Sequence, residues 1–336
     1  MSARKKKLIN RPEDILREML QGFAAAYPQF IHLTPEGLIT RAVPKAAGKV
    51  GLVIGNGTGH EPAMIGFVGE GLFDVNVPGD IFAAPGSEHI VRGIKAADRG
   101  AGVLLCVSHH AGDLLNAELA MARCEAEGID EVEMVILYDD ISSAPKGREP
   151  ERRGTAGLFF TWKLLGAYAE MGASLEECKA MAERIRDNTR TLAVALTPGT
   201  NPLTGQVMFE LPDDEIEIGM GVHGEVGQGR RKFANADATI DMMLPALLAD
   251  KPFVAGDEVL VLLNNSGSMT QMELFILNRR VAEQLNDAGI SVYGTYIGSY
   301  ATTQEMAGFA LSLCKVDRTM TVLWDAPARG AGFQWG

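Results

Sequence analysis

Short apolar runs alternate along the chain with segments whose apolar residues recur at helical spacing. Val, Ile and Leu dominate the runs Gly51–Ile54, Gly102–Val107 and Val135–Tyr138. Such runs are typical of buried strands in a mostly parallel sheet. Helical patterns follow two of them, at Leu114–Glu127 and Leu158–Met171. The first half of the chain therefore predicts a sheet flanked by helices.

A second cycle of the same kind begins near Thr191. Its predicted strands and helices are Leu192–Leu196, Ile240–Ala249, Glu258–Leu263, Met272–Ala288 and Val292–Ile297. We therefore predict an α/β fold with two α/β domains, residues 1–188 and 189–336, each with a mostly parallel or mixed sheet flanked by helices. A ligand is expected between these domains or at the carboxyl ends of their strands.

The segment Glu215–Gly227 contains a lone histidine, His223, after a strictly alternating pattern. The alternation predicts a strand with Ile216, Ile218, Met220 and Val222 on one face and Glu215, Glu217, Gly219, Gly221 and His223 on the other. The two glycines are expected to leave room for a small molecule beside the imidazole. A structural histidine that anchors a turn is the alternative interpretation.

Charge and cysteine content narrow the class of protein. The chain has 336 residues and a formal net charge of −12, which argues against a nucleic-acid binder. Its one basic run, Arg4–Lys7, is interpreted as a solvated tail. The four cysteines are widely spaced, so we expect neither disulfides nor a zinc site. Without a signal-like or membrane-length apolar segment, the sequence predicts a cytoplasmic protein with no membrane partner.

A glycine-rich segment, Gly55–Gly59, follows the first predicted strand. It is either a tight strand-to-helix turn or a loop whose backbone N–H groups approach a ligand. Its spacing lacks the final interval of the dinucleotide fingerprint, which disfavours a dinucleotide-dependent oxidoreductase. The chain also lacks the Gly-x4-Gly-Lys-Ser/Thr phosphate loop. A phosphoryl donor, if one is used, must therefore come from elsewhere.

The segment Ser108–Asp113 joins another predicted strand to a helix. Asp113 is either the helix N-cap or a general base. Adjacent histidines such as His109 and His110 rarely converge on one ion, so no metal is predicted. Because His60 and Asp113 both follow strand ends, both are expected at the ligand-binding edge of the sheet.

An ordered set of motifs resembles, end to end, the substrate-binding subunits of dihydroxyacetone kinases (the DhaK type). The matching segments are Lys7–Asn10, Gly57–Pro62, Pro78–Phe82, Arg152–Gly154, Gly221–Glu225 with Gly227, Leu263–Asn265, Lys315–Asp317, Leu323–Pro327 and Trp335–Gly336. The resemblance implies a phosphotransferase that uses an alcohol group of a short ketose as acceptor.

The resemblance also implies roles for individual residues. His223 matches the histidine that binds the substrate ketone covalently as a hemiaminal. His60 and Asp113 match an acid/base histidine and the aspartate that deprotonates the accepting hydroxyl. The backbone of Gly57, Thr58 and Gly59 matches the segment that holds substrate oxygens.

One stretch departs from the family pattern. Ser108-His109-His110-Ala111 stands where the family has Lys-Asn-Tyr-Thr, so Ser108 replaces a substrate-contacting lysine. Asn56 and Thr58 replace a glycine and a serine. Since these changes affect substrate contacts and leave the catalytic groups in place, we hypothesise a longer ketose such as a tetrulose.

The resemblance implies that this chain itself binds no cofactor. A separate DhaL-type subunit would carry ATP or ADP with Mg²⁺, and the ultimate phosphate source is either ATP or a phosphotransferase-system protein. A homodimer is implied in the same way. Some relatives of this kind are transcriptional coactivators, so a non-catalytic sugar sensor remains the alternative function.

Overall fold

Two six-stranded sheets form the framework of the protein, described here from a computed structural model that covers residues 6–251 and 253–336. Arg4 and Lys5 of the basic run lie outside the described residues. Within that run, the Lys7 ammonium donates a hydrogen bond to Gln304 Oε1 at 3.0 Å and contacts the Glu305 carboxylate. The interpretation of the run as a solvated tail is therefore wrong for Lys7.

The first sheet has the strand order β1-β2-β5-β3-β6-β7. Its strands are β1 (Ile31–Leu33), β2 (Ile39–Arg41), β3 (Gly51–Thr58), β5 (Val75–Ile81), β6 (Val103–Ser108) and β7 (Val132–Leu137). The four strands from β5 to β7 pair in parallel, while β1 and β2 are antiparallel. The three apolar runs of the first half thus correspond to β3, β6 and β7.

The second sheet has the order β10-β9-β8-β13-β11-β12. Its strands are β8 (Thr189–Thr197), β9 (Glu215–Ile218), β10 (Gly229–Lys232), β11 (Glu258–Asn265), β12 (Ser291–Gly298) and β13 (Ala307–Val316). Only the β11–β12 pair is parallel among these neighbours. The prediction of mixed α/β architecture is confirmed, and this half is mainly antiparallel.

Helices cover both faces of the two sheets. They are α1 (Ile15–Ala26), α2 (Ser87–Ala97), α3 (Ala111–Ala126), α4 (Leu158–Glu170), α5 (Leu175–Asn188), α6 (Ala236–Asp250), α7 (Gln271–Asp287) and α8 (Arg318–Asp325). In the described part of the chain, none of these helices is long and apolar enough to cross a membrane.

The central layer is made by α4 and α5, which lie between the two sheets. Alternate residues of β3 explain this arrangement, since Leu52 and Ile54 pack toward α4 and α5 while Val53 packs toward α2 and α3. Residues of β11 and β13 join the same central cluster from the other side. On its outer face the second sheet packs against α6 and α7.

A small third sheet ties the end of the chain to its first half. It pairs β4 (Gly69–Glu70) with β14 (Ala328–Gly330), which also pairs with β15 (Gln334–Trp335). The predicted boundary after residue 188 falls between α5 and β8. Because the central core is shared by both sheets, the division into two domains stays a prediction.

Candidate functional site

A cavity lies where the carboxyl ends of β3 and β6 meet loops from the second half of the chain. Counting its open mouth, it has about 450 Å³ of empty space. Its lining residues are Asn56, Gly57, His60, Ala63, Met64, Ser108, His110, Asp113, Gly154, Thr155, Trp162, Val222, His223 and Ala301. His60, Asp113 and His223, which lie far apart in the sequence, therefore converge on one cavity.

His60 is held by the loop that follows β12. Its Nδ1 lies 2.8 Å from the Thr302 carbonyl oxygen, which can only accept, so Nδ1 carries a proton. The backbone N–H of Thr302 donates in turn to the His60 carbonyl at 3.0 Å. Burial and the neighbouring His223 lower the pKa of His60 to about 3. His60 is therefore a neutral ring whose Nε2 is available at the cavity.

His223 lies in a turn rather than on a strand. The strand β9 ends at Ile218, and Gly219 follows with φ of +77°, a left-handed conformation that ends the alternation. A tight turn then brings the Gly224 N–H to the Gly221 carbonyl at 3.1 Å. The prediction of one continuous strand from Glu215 to His223 was therefore wrong. The turn nevertheless places His223 Nε2 3.1 Å from His60 Nε2.

Glu225 orients the His223 ring. Its Oε1 accepts from His223 Nδ1 at 2.9 Å, and its Oε2 accepts from the His223 backbone N–H at 2.8 Å. Burial tends to raise the pKa of Glu225, but the hydrogen bonds and charge of His223 hold it well below its ordinary value. An ionised Glu225 fixes the proton of His223 on Nδ1 and directs Nε2 toward His60.

The two glycines before His223 make room for protein groups. A Cβ at Gly219 would lie 2.2 Å from Ser142 Cβ, and a Cβ at Gly221 would lie 2.2 Å from Glu225 Oε2. The expectation that these positions leave space for a ligand beside the ring was wrong. Gly221 instead permits the close approach of the carboxylate that holds His223.

Asp113 is in the first turn of α3 and is not its cap. The N-cap position is occupied by His110, so the N-cap interpretation of Asp113 was wrong. The Asp113 side chain lines the cavity, and its Oδ1 has no hydrogen-bond partner among the described residues. Burial raises the pKa of Asp113 to about 7, against a smaller lowering by His223. A carboxyl with this pKa exchanges a proton near neutral pH.

Ser108 and His110 contact the cavity from the strand-to-helix segment. Both are anchored by the Gly154 carbonyl, which accepts from Ser108 Oγ at 3.3 Å and from His110 Nε2 at 2.9 Å. His110 Nε2 therefore carries the ring's proton, and Nδ1 has the free lone pair. The neighbouring ring of His109 instead bonds the Arg152 carbonyl at 2.6 Å.

One cluster near the cavity has the residue types of a metal site. His110, His223 and Glu225 each offer one ligand atom, and these atoms lie within 4.8 Å of one another. The His223–Glu225 contact of 2.9 Å has hydrogen-bond length and uses a protonated Nδ1. We therefore interpret the cluster as a hydrogen-bonding network, and His109 takes no part in it.

Two predicted substrate-binding residues do not line the cavity. Thr58 Oγ donates to the Gly79 carbonyl at 3.1 Å, and the Gly59 N–H donates to Glu61 Oε1 at 2.9 Å. A Cβ at Gly59 would also lie 2.6 Å from the Phe82 ring. Of the predicted backbone segment, Gly57 alone lines the cavity.

Sequence reasoning missed Trp162, Thr155 and the role of Glu225. Trp162 lies in α4, where an apolar stripe explains it fully, yet it lines the cavity and its indole N–H has no acceptor among the described residues. Thr155 directly follows the matched segment Arg152–Gly154 but is not part of it. The signal for Glu225 was its place two residues after His223.

The loop that supports Thr155 and Gly154 is fixed by a buried carboxylate. Asp139 accepts hydrogen bonds from the Thr155 N–H and hydroxyl and from the Gly157 N–H. Asp139→Asn should cost about 1–3 kcal/mol of unfolding free energy, because an amide cannot accept from all three donors. Urea unfolding measures this, and exposed Asp130→Asn, expected within about 0.5 kcal/mol of wild type, is the control. Equal stability of the two variants would contradict the assigned role.

The family described as "Dak1 domain" matches residues 21–332. The chain belongs to this family. The prediction drawn from the sequence motifs is thereby confirmed.

Members of this family include named kinase subunits. The chain is 40% identical over 312 residues to the "PTS-dependent dihydroxyacetone kinase 1, dihydroxyacetone-binding subunit DhaK" of Listeria innocua, covering 93% of this chain and 94% of that one. It is 36% identical to the "L-erythrulose kinase" of Pectobacterium atrosepticum, covering 98% of this chain and 56% of that one.

A regulatory protein has a similar structure. The "Dihydroxyacetone kinase operon co-activator Dha-DhaQ" superposes with a TM-score of 0.88 at 31% identity, covering 95% of this chain and 98% of that one. Relatives of this chain thus include both kinases and a co-activator.

Proposed function

We propose that this chain is the substrate-binding subunit of a two-component ketose kinase. The observation that carries the proposal is the convergence of His223, His60 and Asp113 on one cavity. His223 adds through Nε2 to the ketone carbon, giving a hemiaminal. Polyols such as glycerol offer no electrophilic carbon, so capture selects for a carbonyl.

Asp113 acts as the base that prepares the captured substrate. Its unpartnered Oδ1 needs a hydrogen-bond donor, which a substrate hydroxyl supplies. A pKa of about 7 lets the carboxylate take up the hydroxyl proton at neutral pH. The deprotonated hydroxyl then attacks the phosphoryl group. His60 acts as the acid/base group for the ketone oxygen during capture.

The phosphoryl donor belongs to a second protein. We propose a DhaL-type subunit that carries ATP or ADP with Mg²⁺, since the sequence of this chain contains no phosphate loop. The similarity to a PTS-dependent subunit supports a phosphotransferase-system protein as the source that recharges the nucleotide. Homodimerisation and a cytoplasmic location remain predictions from the sequence.

Product formation with both subunits tests this proposal. The full chain is mixed with a DhaL-type subunit, ATP and Mg²⁺, and ketose phosphate is measured for dihydroxyacetone and erythrulose. We expect product only when both proteins are present. Captured ketose without phosphate transfer would contradict the kinase assignment and support the co-activator function.

A sugar-sensing co-activator is the second candidate, favoured by the structural similarity to DhaQ. A sensor needs covalent capture but no base for the accepting hydroxyl. The raised pKa and unpaired oxygen of Asp113 are features that the kinase uses and a sensor does not. We therefore rank the kinase first.

The cavity wall supports a substrate longer than dihydroxyacetone. Ser108 is small, and Nδ1 of His110 offers an acceptor where the family pattern has a tyrosine. The similarity to an L-erythrulose kinase fits a four-carbon ketose. We propose that this chain prefers a tetrulose.

Restoring the family residues should reverse that preference. The double variant Ser108→Lys/His110→Tyr should lower the ratio of kcat/KM for erythrulose to that for dihydroxyacetone by about tenfold, the value of one lost polar contact. Steady-state kinetics with both ketoses measure the ratio. His109→Asn changes the residue between them, away from the cavity, and should leave it unaltered. A wild-type preference for dihydroxyacetone would refute the tetrulose hypothesis.

A further inference from the structure

The hydrogen bonds of His60 and His223 impose a constraint on their protons. Thr302 O accepts from His60 Nδ1 at 2.8 Å, and the ionised Glu225 accepts from His223 Nδ1 at 2.9 Å. Each Nδ1 therefore carries a proton, which leaves each Nε2 of two neutral rings as a lone pair. The two Nε2 atoms are only 3.1 Å apart. Two facing lone pairs repel, whereas one proton between them makes a hydrogen bond of normal length.

We propose that the unliganded site holds a single proton between Nε2 of His60 and Nε2 of His223, with Glu225 as the positioning residue that makes this sharing obligatory. Because burial lowers the pKa of His60, the positive charge of the pair resides mainly on the His223 ring, and the adjacent carboxylate of Glu225 balances it. The proposal rests on the proposed function only for what happens to that proton during capture.

The resident proton completes the capture step without a donor from solvent. It moves fully to His60 Nε2, which frees the lone pair of His223. The His223 Nε2–carbon bond forms as the carbonyl π electrons move to oxygen, and that oxygen takes the proton from His60. His60 ends neutral, and the alkylated His223 ring keeps its Nδ1 proton and positive charge beside Glu225. The total charge is the same before and after.

Other titratable and charged groups face the pair. His110, the N-cap of α3, has its ring centroid 5.2 Å from that of His223, and Asp113 faces the pair from the first turn of the same helix. Burial and His223 lower the pKa of His110 to about 4, so His110 is neutral across the working range. Glu61 follows His60, but its carboxylate bonds the Gly59 N–H. Arg153 pairs with Asp140.

Packing around the pair shields its His60 side from water. His60 is 9% exposed, and the Phe82 ring lies 5.1 Å from the His60 centroid and 5.5 Å from that of His223. Hydrogen bonds between charged and neutral rings are stronger in such surroundings than in water. The negative charge of the Glu225 carboxylate stabilises the imidazolium in this partly buried site.

Nitrogen NMR of the full chain tests the shared proton without any substrate. Protein labelled with ¹⁵N in its histidine rings is examined at about pH 8, above the ordinary histidine pKa of about 6.5. We expect protonated Nδ1 atoms on both His60 and His223 and one proton distributed over their Nε2 atoms. Two unprotonated Nε2 atoms at this pH would overturn the proposal.

The pH profile of capture tests the role of Glu225. Adduct formation is measured from about pH 6 to about pH 9 in an Asp113→Asn background, which removes the titration of Asp113. Capture should decline with rising pH as the shared proton is lost. Because Glu225→Gln removes the negative charge that favours this proton, the decline should occur about one pH unit or more lower in the variant. Exposed Glu118→Gln removes the same charge elsewhere and should not move it. An unmoved decline in Glu225→Gln would overturn the positioning role.

These tests separate the inference from the proposed function. A wild-type chain that forms no adduct with any ketose would refute covalent capture and the proton-transfer step with it. The ring-nitrogen spectra would still decide whether the proton is shared.

Discussion

Replacing His223 with alanine should abolish covalent capture and lower kcat/KM for the ketose by at least about 10³-fold. The expected loss is large because the variant removes the only atom that bonds to the substrate carbon, and the remaining cavity can bind the ketose only through polar contacts. The cavity wall itself should survive, since His223 lies in a surface turn and its side chain is 27% exposed. The measurement is native mass spectrometry together with steady-state kinetics in the presence of the partner.

His32→Ala is the matched control for this variant. His32 is an exposed histidine on β1, outside the cavity. Its removal should leave the adduct and the rate unchanged, which excludes a surface reaction of ketoses with histidine. An adduct that persists in His223→Ala would show that another residue captures the ketone.

Asp113→Asn should capture ketose normally and lose phosphoryl transfer by about 10²–10⁴-fold, the usual contribution of a general base. Because burial raises the pKa of Asp113 to about 7, wild-type transfer should rise with pH up to about 7 as the carboxyl ionises. The variant should lack this rise. Rates measured across the same pH range, with adduct yield determined in parallel, provide the comparison. Full transfer activity would leave Asp113 without a chemical role.

The same substitution should stabilise the folded chain at alkaline pH. The pKa of Asp113 is raised from 3.8 to about 7 in the native state, so unfolding releases a proton between these values and the native state loses stability as pH rises through them. At about 1.4 kcal/mol per pH unit over about three units, the loss is on the order of 4 kcal/mol. Asparagine resembles the protonated carboxyl and cannot ionise, so the variant should not lose this stability as the pH rises. Urea unfolding should therefore give a higher free energy of unfolding for Asp113→Asn than for wild type at pH 8, and this difference should vanish near pH 4.

The strands of the first half were predictable because their runs are uniformly apolar. Leu52, Val53 and Ile54 are buried on both faces of a parallel sheet, and such runs need no alternation. The ligand-binding edge of that sheet was predictable too, because parallel strands bring the residues that follow their carboxyl ends close together. His60 and Asp113 were therefore expected near one another, and they line the same cavity.

The alternation before His223 gave a wrong strand prediction because glycine fits both a strand and a left-handed turn. Gly219 adopts φ of +77°, and the chain turns where the side-chain pattern still suggests a strand. Nothing in the local sequence indicates that Ser142, from a distant loop, fills the space beside Gly219. The convergence of His223 with His60 was implied by the family motifs and could not be derived from periodicity.

Contacts between distant segments account for the remaining omissions. The Gly154 carbonyl orients His110, and the Thr302 carbonyl orients His60, across sequence separations of 44 and 242 residues. Backbone carbonyls carry no sequence signature, so neither contact was predictable. Thr58 and Gly59 do not line the cavity for a related reason, since the loop directs the Thr58 hydroxyl to Gly79 and the Gly59 N–H to Glu61.

Native mass spectrometry of the wild-type chain with a ketose tests the central claim most directly. The chain is incubated separately with dihydroxyacetone, erythrulose and glycerol, and the bound mass is located by fragmentation. Covalent capture predicts an increase of one ketose mass per chain, located at His223, with no increase for glycerol. An adduct on another residue, or equal retention of glycerol, would contradict the claim that His223 is the covalent site.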